Sequence, residues 1–461
     1  MQILDWNSLS LLERERALER PTLRSSAEVE SRTREIISEV RLRGDAALLE
    51  LTAALDGARL TRLEVTEAEY EAAERSVSDE ARAALDRAID SIQCFHAAQL
   101  PGVLRVETAP GVQCERWSVP IRAVGLYVPA GSAPLPSSAL MLAIPSRLAG
   151  CPVRVLCTPP RRNGTADPAV LVAARKGGIG RIFKVGGAQA IAAMAYGTES
   201  IPRCDKLFGP GNCWVIAAKR LVAMDPAGAA IDLPAGPSEV LVVADESARA
   251  DFVAADLLAQ AEHGPDAQAL LVASSRTLVI QVAREITLQR ARLSRGAILA
   301  ESIGHLRLIV VEDLNQAMAV ANRYAPEHLM LAVREPRRHL SQVQAAGGVF
   351  LGPWSTETLG DYCAGPNHTL PTFGWARAFS GLGVEDFQKR ITVQEVSAEG
   401  LRGLGDTAQV LASLEGLDGH AAAVSVRLAA LEGAGAGVAA SDAVAGQPFA
   451  AERVATQGVE R

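Results

Sequence analysis

The chain has 461 residues, 48% of them hydrophobic and 21% charged, enough for more than one core and too apolar to be disordered as a whole. Its net charge is −7, no Lys/Arg-rich run occurs, and aromatics make up 4%, which argues against a nucleic-acid groove, an anionic membrane surface or a base-stacking platform. No apolar run is long enough to span a bilayer, the first 20 residues lack a signal-peptide pattern, and the seven cysteines are never spaced CxxC, so the chain reads as soluble and cytoplasmic with reduced thiols.

Residues 1–25 read as an N-terminal helical arm and 26–120 as the helical first part of the main domain. Ser26 is placed to cap a run carrying Val29, Ile36, Ile37 and Val40. Ser78 is placed to cap another carrying Ala83, Leu85, Ile89 and Ile92, and both runs lie near period 3.6. From residue 121 short β-branched runs alternate with helical stretches. The runs are IRAVGLYV (121–128), VRVLCT (153–158) and RIFKV (181–185), with helices over 138–149, over 168–176 and from Ala188. After a break at 234–237 the alternation resumes with EVLVVA (239–244), QALLVAS (268–274), RLIVV (307–311) and HLMLAV (328–333). This predicts an α/β protein with two parallel-sheet arrays, a Rossmann-like one over 121–235 and a second over 236–378 that completes the main domain. Residues 379–431 form an arm whose part from 385 reads as helices without a core of their own, to be packed elsewhere. The Gly/Ala-rich segment 432–461 reads as a disordered tail.

The standard nucleotide signals are missing: no GxGxxG follows a strand and no GxxxxGK[ST] occurs. Instead, glycine turns PAGSAPL (129–135), GGAQA (186–190) and FGPGN (208–212) fall at the carboxyl ends of expected strands, where open α/β sheets bind ligands. Tyr127, Gln189 and Asn212 would then contact a dinucleotide, although glycine is also the ordinary residue of a βα turn.

Of the seven histidines, His96, His305 and His339 lie among generic residues and read as structural. A helix capped by Ser247 would carry Gln260 and His263 at i, i+3 and end at Gly264-Pro265, half of a first-row metal site. Asp361, Glu357, His368 and His420 are candidates to complete it, and a mixed nitrogen and oxygen set suits a catalytic rather than a structural zinc. Glu327-His328 is either a turn closed by an ion pair or a proton-transfer pair. The two reach one site only if Glu327 still belongs to the loop before the strand. Glu415 and His420, five apart in the arm, pose the same alternatives.

Several segments are more specific: AGPSE (235–239), QAEHGPD (260–266), PEH (326–328), GDYCAGPNHTLPT (360–372) and LEGLDGH (414–420). With VGLYVPAGSAPL (124–135) and DKLFGPGN (205–212), they resemble the histidinol dehydrogenase family over roughly residues 30–430, in order and spacing. The resemblance implies an aldehyde-dehydrogenase-like pair of Rossmann-like arrays with a helical N-terminal segment and a C-terminal helical arm. It implies one Zn2+ per subunit on Gln260, His263, Asp361 and His420, with NAD contacts on Tyr127, Gln189 and Asn212. Substrate contacts fall on Ser238, Gln260, His263, His328, Asp361, Glu415 and His420, with Glu357 and His368 near them, and Glu327 and His328 are the acid/base pair. It further implies a homodimer in which the arm crosses over, so that Glu415 and His420 serve the partner's site. The implied reaction is the four-electron oxidation of L-histidinol through L-histidinaldehyde to L-histidine, the last steps of histidine biosynthesis. A related zinc and NAD dehydrogenase of another small polar alcohol is the alternative, or, from another class, a zinc hydrolase, which would not need the dinucleotide turns. Cys114 and Cys151 lie near the NAD-side array but lack the histidine partner a covalent thiol route requires.

Overall fold

The computed structural model describes residues 1–21, 27–130, 133–233 and 236–434. Two compact units make it up, Met1–Gly102 with Ser118–Arg390, and Val103–Trp117 with the chain from Ile391 onward. In chain order the strands are β1 (Gln2–Asp5), β2 (Leu104–Ala109), β3 (Val112–Pro120), β4 (Ala123–Tyr127), β5 (Val153–Thr158), β6 (Arg181–Lys184) and β7 (Lys206–Phe208). Then come β8 (Ala230–Ile231), β9 (Glu239–Ala244), β10 (Gln268–Ala273), β11 (Arg307–Val310), β12 (His328–Ala332), β13 (Gly348–Leu351) and β14 (Gln388–Val396).

The first unit holds two parallel sheets, ordered β6-β5-β4-β7-β8 and β1-β11-β10-β9-β12-β13. Helices cover both faces of each, which is why β9 and β10 are buried along their whole length and, after a polar first residue, read as apolar runs. On the first sheet, Leu140, Ile144 and Val170 pack one face while Ile36, Leu48 and Ile191 pack the other. On the second, Leu257, Val279 and Val282 oppose Met318, Ala321 and the N-terminal Trp6 and Leu18. The expected cap at Ser78 is present, its hydroxyl accepting from the Ala81 N–H at 3.2 Å. Ser26, Pro234 and Ala235 lie outside the described residues, as does 435–461 of the expected tail 432–461, whose first three residues end the helix Asp418–Ala434.

Three expectations need correction. The N-terminal segment opens with a strand rather than a helix: β1 lies parallel to β11 from Gln2↔Arg307 to Asp5↔Val310, and a helix follows only at Leu11–Ala17. Four residues are too few to show a period, and their partner lies some 300 residues away. Within 26–120, expected to be helical, β2 and β3 form an antiparallel hairpin turned at Gly111, whose φ of +77° suits glycine. Within 379–431, β14 precedes the helices Ala398–Leu414 and Asp418–Ala434. These strands make a β14-β3-β2 sheet, and β2 and β14 are mostly exposed, so neither shows the apolar alternation that marks a strand. Among the described residues no helix is long and apolar enough to cross a membrane.

Candidate active site

Four strands of the second sheet begin at one edge, β9 at Glu239, β10 at Gln268, β12 at His328 and β13 at Gly348. The register places Gln268 beside Glu239, and His328 beside Val240 and Gly348. Polar residues gather at this amino edge. Glu327 is the last loop residue before β12, so strand alternation does not separate it from His328, and its Oε2 lies 3.6 Å from His328 Nδ1. That meets the condition for a proton-transfer pair.

His328 is 3% exposed, and its Nδ1 faces the Glu239 carbonyl at 3.3 Å. A carbonyl only accepts, so Nδ1 carries the proton and Nε2 is left as the basic atom, 3.7 Å from Asp361 Oδ1. Burial pulls this imidazole down to about 4, against the opposing pull of Asp361, so it is neutral at neutral pH. Glu327 Oε2 accepts the Glu239 N–H at 2.9 Å. Burial nonetheless pushes its carboxyl well above the usual range, the charges of Glu239 and Asp361 adding to the effect.

The metal candidates come from two helices. The helix Ala250–Ala261 starts after Arg249 with no side-chain cap, not at Ser247 as expected. Both the N–H and the hydroxyl of Ser247 donate to Asp245, so that hydroxyl closes a turn instead. At its far end Gln260 is fully buried, and His263 follows the last turn. His263 Nδ1 donates to the Ala259 carbonyl at 3.0 Å, which frees Nε2 toward Asp361 Oδ2 at 3.8 Å. On the short helix Glu357–Tyr362, Glu357 and Asp361 stand one turn apart on the same side. Thr356 ties the start of that helix to Asp256 by a 2.8 Å hydrogen bond.

His263, Glu357 and Asp361 can bring one ligand atom each to within 4.8 Å of one another. Oε1 and Nε2 of Gln260 and both carboxyl oxygens of Glu357 are buried without a hydrogen-bond partner. Such buried polar atoms, two on each residue, are costly unless something binds to them. An amide oxygen, an imidazole nitrogen and a carboxylate oxygen suit a borderline cation such as zinc, so these residues fit the metal. Burial, with Asp361 and Glu327 nearby, holds the Glu357 carboxyl well above its usual range.

His368 is tied on both sides: Nδ1 donates to the Asp361 carbonyl at 2.7 Å and Nε2 accepts from Ser138 Oγ at 3.1 Å. It therefore holds Asp361 in place rather than offering a free nitrogen. Ser238 immediately precedes β9 and is half-buried at the same edge. A cleft of about 850 Å³ opens onto His328, Asp361 and His368, with Phe350 and Trp354 in its wall, room enough for a small polar molecule.

The first sheet brings the expected dinucleotide residues to its carboxyl edge. Tyr127 ends β4, Gln189 stands in the first turn of the helix Gly187–Tyr196 after β6, and Asn212 caps the helix Cys213–Met224 after β7. The Tyr127 hydroxyl accepts from the Gly187 N–H at 3.0 Å, and buried Gln189 Oε1 has no partner. Asn212 Oδ1 accepts from the Trp214 and Val215 N–H groups at 3.1 and 3.2 Å, so its oxygen is engaged as a helix cap.

A family model described as histidinol dehydrogenase matches residues 18–428. Histidinol dehydrogenase of Xanthomonas oryzae pv. oryzae is 56% identical over 428 residues, 93% of this chain and 99% of that one. The enzyme of Vibrio vulnificus is 48% identical over 93% and 98% of the two chains. The crystal structure of histidinol dehydrogenase from Elizabethkingia anophelis superposes with a TM-score of 0.90 at 42% identity, covering 94% of this chain and 98% of that one. The chain belongs to the histidinol dehydrogenase family. It is accordingly an oxidoreductase of the α/β class.

Two expected residues of the site, Glu415 and His420, lie in the second unit, exposed around the turn between its two long helices. The seven cysteines are unpaired. Cys151 is buried, donates to the Phe387 carbonyl at 3.3 Å, and is pushed up to about 11, the opposite of an activated nucleophile. Sequence reasoning assigned no role to Glu239, Tyr324, Gln268 or Arg20, which lie behind Glu327 and His328. One signal was available: a glutamate opening the otherwise apolar run EVLVVA is a buried charge that needs a partner.

Proposed function

We propose that the chain oxidises L-histidinol to L-histidine through L-histidinaldehyde, with two NAD used in succession and one Zn2+ per subunit, as a cytoplasmic homodimer in the last steps of histidine biosynthesis. The observation that carries this reading is a neutral buried imidazole, His328, 3.5 Å from the Glu357 carboxyl and 3.7 Å from Asp361, which with His263 could hold a metal ion. Gln260, His263 and Asp361 would hold the metal, with His420 supplied by the partner's arm. Bound there, zinc supplies an anchor for the substrate's nitrogen atoms and a positive charge that favours the ionised form of Glu327. NAD, the hydride acceptor, would lie against Tyr127, Gln189 and Asn212.

His328 Nε2 would take the hydroxyl proton as hydride leaves the alcohol carbon, since Nδ1 is already committed to the Glu239 carbonyl. Glu327 would then draw a proton from the water that adds to the aldehyde, and His328 would remove the proton released in the second oxidation. Burial of both residues keeps stray water from the intermediate. Retention of Glu327, Glu415 and His420 favours histidinol over another small polar alcohol. The turns at Tyr127, Gln189 and Asn212 favour a dehydrogenase over a zinc hydrolase.

The roles separate by half-reaction. His328→Asn should slow oxidation of both histidinol and histidinaldehyde, and Glu327→Gln chiefly the second, each by about 10²–10⁴-fold, the usual contribution of a positioned general base. If Glu327→Gln slowed only histidinol oxidation, the assignment would have to be redrawn.

A further inference from the structure

The main chain of Glu239 holds both members of the acid/base pair. Its N–H donates to Glu327 Oε2 at 2.9 Å and its carbonyl accepts from His328 Nδ1 at 3.3 Å. Its side chain, 2% exposed, is held in turn by Arg20, from the far end of the sequence. Arg20 Nε and Nη2 donate to the two carboxylate oxygens at 2.6 and 2.8 Å, a bidentate fork that lysine cannot reproduce.

The same guanidinium reaches the turn that delivers the pair. Arg20 Nη2 donates to the Tyr324 carbonyl at 2.8 Å and to the Ala325 carbonyl at 3.4 Å, at the end of the helix Leu314–Tyr324. Ala325 stands two residues before Glu327. Among the described residues, Ala325 (φ 55°) and Phe373 (φ 57°) are the two non-glycine residues with positive φ. Both flank Arg20, since the Phe373 ring centroid is 5.9 Å from the guanidinium carbon. Such conformations persist only where the surroundings impose them. Tyr324 completes the frame: its ring lies 4.0 Å from the guanidinium, and its hydroxyl donates to Gln268 Oε1 at 2.8 Å. Gln268 Nε2 donates at 2.9 Å to the carbonyl of Glu19, the residue before Arg20, so the ring of contacts closes on itself.

We propose that Arg20 is a positioning residue for Glu327 and His328, clamping the Glu239 carboxylate and the left-handed Ala325 turn with one guanidinium and so fixing where the pair's reactive atoms lie. The proposal rests on the reading of Glu327 and His328 as the acid/base pair. Arg20 touches neither residue, so its effect would pass through Glu239 and the Ala325 turn. Removing it should lower turnover while leaving substrate affinity in place.

The test compares the zinc-loaded full chain with Arg20→Ala and with the charge-balanced double variant Arg20→Met/Glu239→Gln, which leaves no unpaired carboxylate if the single variant folds poorly. Zinc content and thermal unfolding identify the folded fraction. Per folded molecule, kcat on histidinaldehyde should fall about 10- to 100-fold, the scale of an ångström-sized misplacement, with KM for histidinaldehyde and for NAD within about twofold. Millimolar ethylguanidinium should restore part of the kcat of Arg20→Ala and leave wild type unchanged. Wild-type kcat in either folded variant overturns the proposal, as does a loss confined to KM. Glu327→Gln, measured alongside, keeps the two readings apart. Loss of the aldehyde step there with normal Arg20 variants sinks only the positioning role, whereas full activity of Glu327→Gln sinks the acid/base assignment itself.

Discussion

Gln260 provides a sharp test, because its side chain is fully buried and neither Oε1 nor Nε2 has a hydrogen-bond partner. A buried polar group left unpartnered costs about 1–3 kcal/mol, and this amide carries two. Methionine keeps the length of the side chain and removes both polar ends, at a packing cost under about 1.5 kcal/mol. Metal-free Gln260→Met should therefore be more stable than the metal-free wild type, by roughly 0.5–6 kcal/mol. Zinc should reverse the order. At a thousandfold excess over Kd the wild type gains about 4 kcal/mol, and a variant short of one oxygen donor gains much less. Urea titrations of the metal-free and zinc-loaded proteins, followed by circular dichroism, read both differences from the midpoints if the slopes agree. A metal-free variant less stable than wild type, or equal zinc stabilisation of the two, would refute the argument that this amide is held ready for a ligand.

Asp56 is pushed up from 3.8 to about 6 by burial, and its Oδ2 has no partner. The folded state thus favours the protonated form, so this group's contribution to stability is present below about pH 4, falls as pH rises to about 6, and stays lost above that. Asp56→Asn should stabilise the protein at pH 8 by about 1 kcal/mol, a figure discounted for partial exposure, and change little at pH 4. A gain independent of pH would contradict this cause. The crossed-arm reading is tested by mixing: His263→Asn and His420→Asn homodimers should each lose zinc and activity, while heterodimers of the two should regain one intact site of two. Verified heterodimers with no activity would remove the partner's His420 from the site and leave His263 in it.

Legibility followed burial and sequence distance. The run 239–244 matches β9 residue for residue, because a strand covered on both faces leaves a continuous apolar signature, here from Val240 to Ala244. The largely exposed β2 and β14 carry no such pattern, and β1 is defined by a partner some 300 residues away. In the site, Gln260 and His263 were legible as a pair, although the helix ends at Ala261 and His263 stands just beyond it, its N–H donating to the Gln260 carbonyl at 3.2 Å. The contact between Arg20 and Glu239 spans 219 residues, and only the fold shows that the two charges meet. The condition that Glu327 still belong to the loop could be stated from sequence, but the start of β12 had to be seen to meet it.

The most direct measurement counts NADH against L-histidinol consumed by the zinc-loaded protein, then repeats the count after chelation and after zinc is returned. The account predicts two NADH per histidinol with L-histidine as the product, no turnover without metal, and recovery when zinc is restored. One NADH per histidinol with aldehyde accumulating, or turnover indifferent to the chelator, would contradict it.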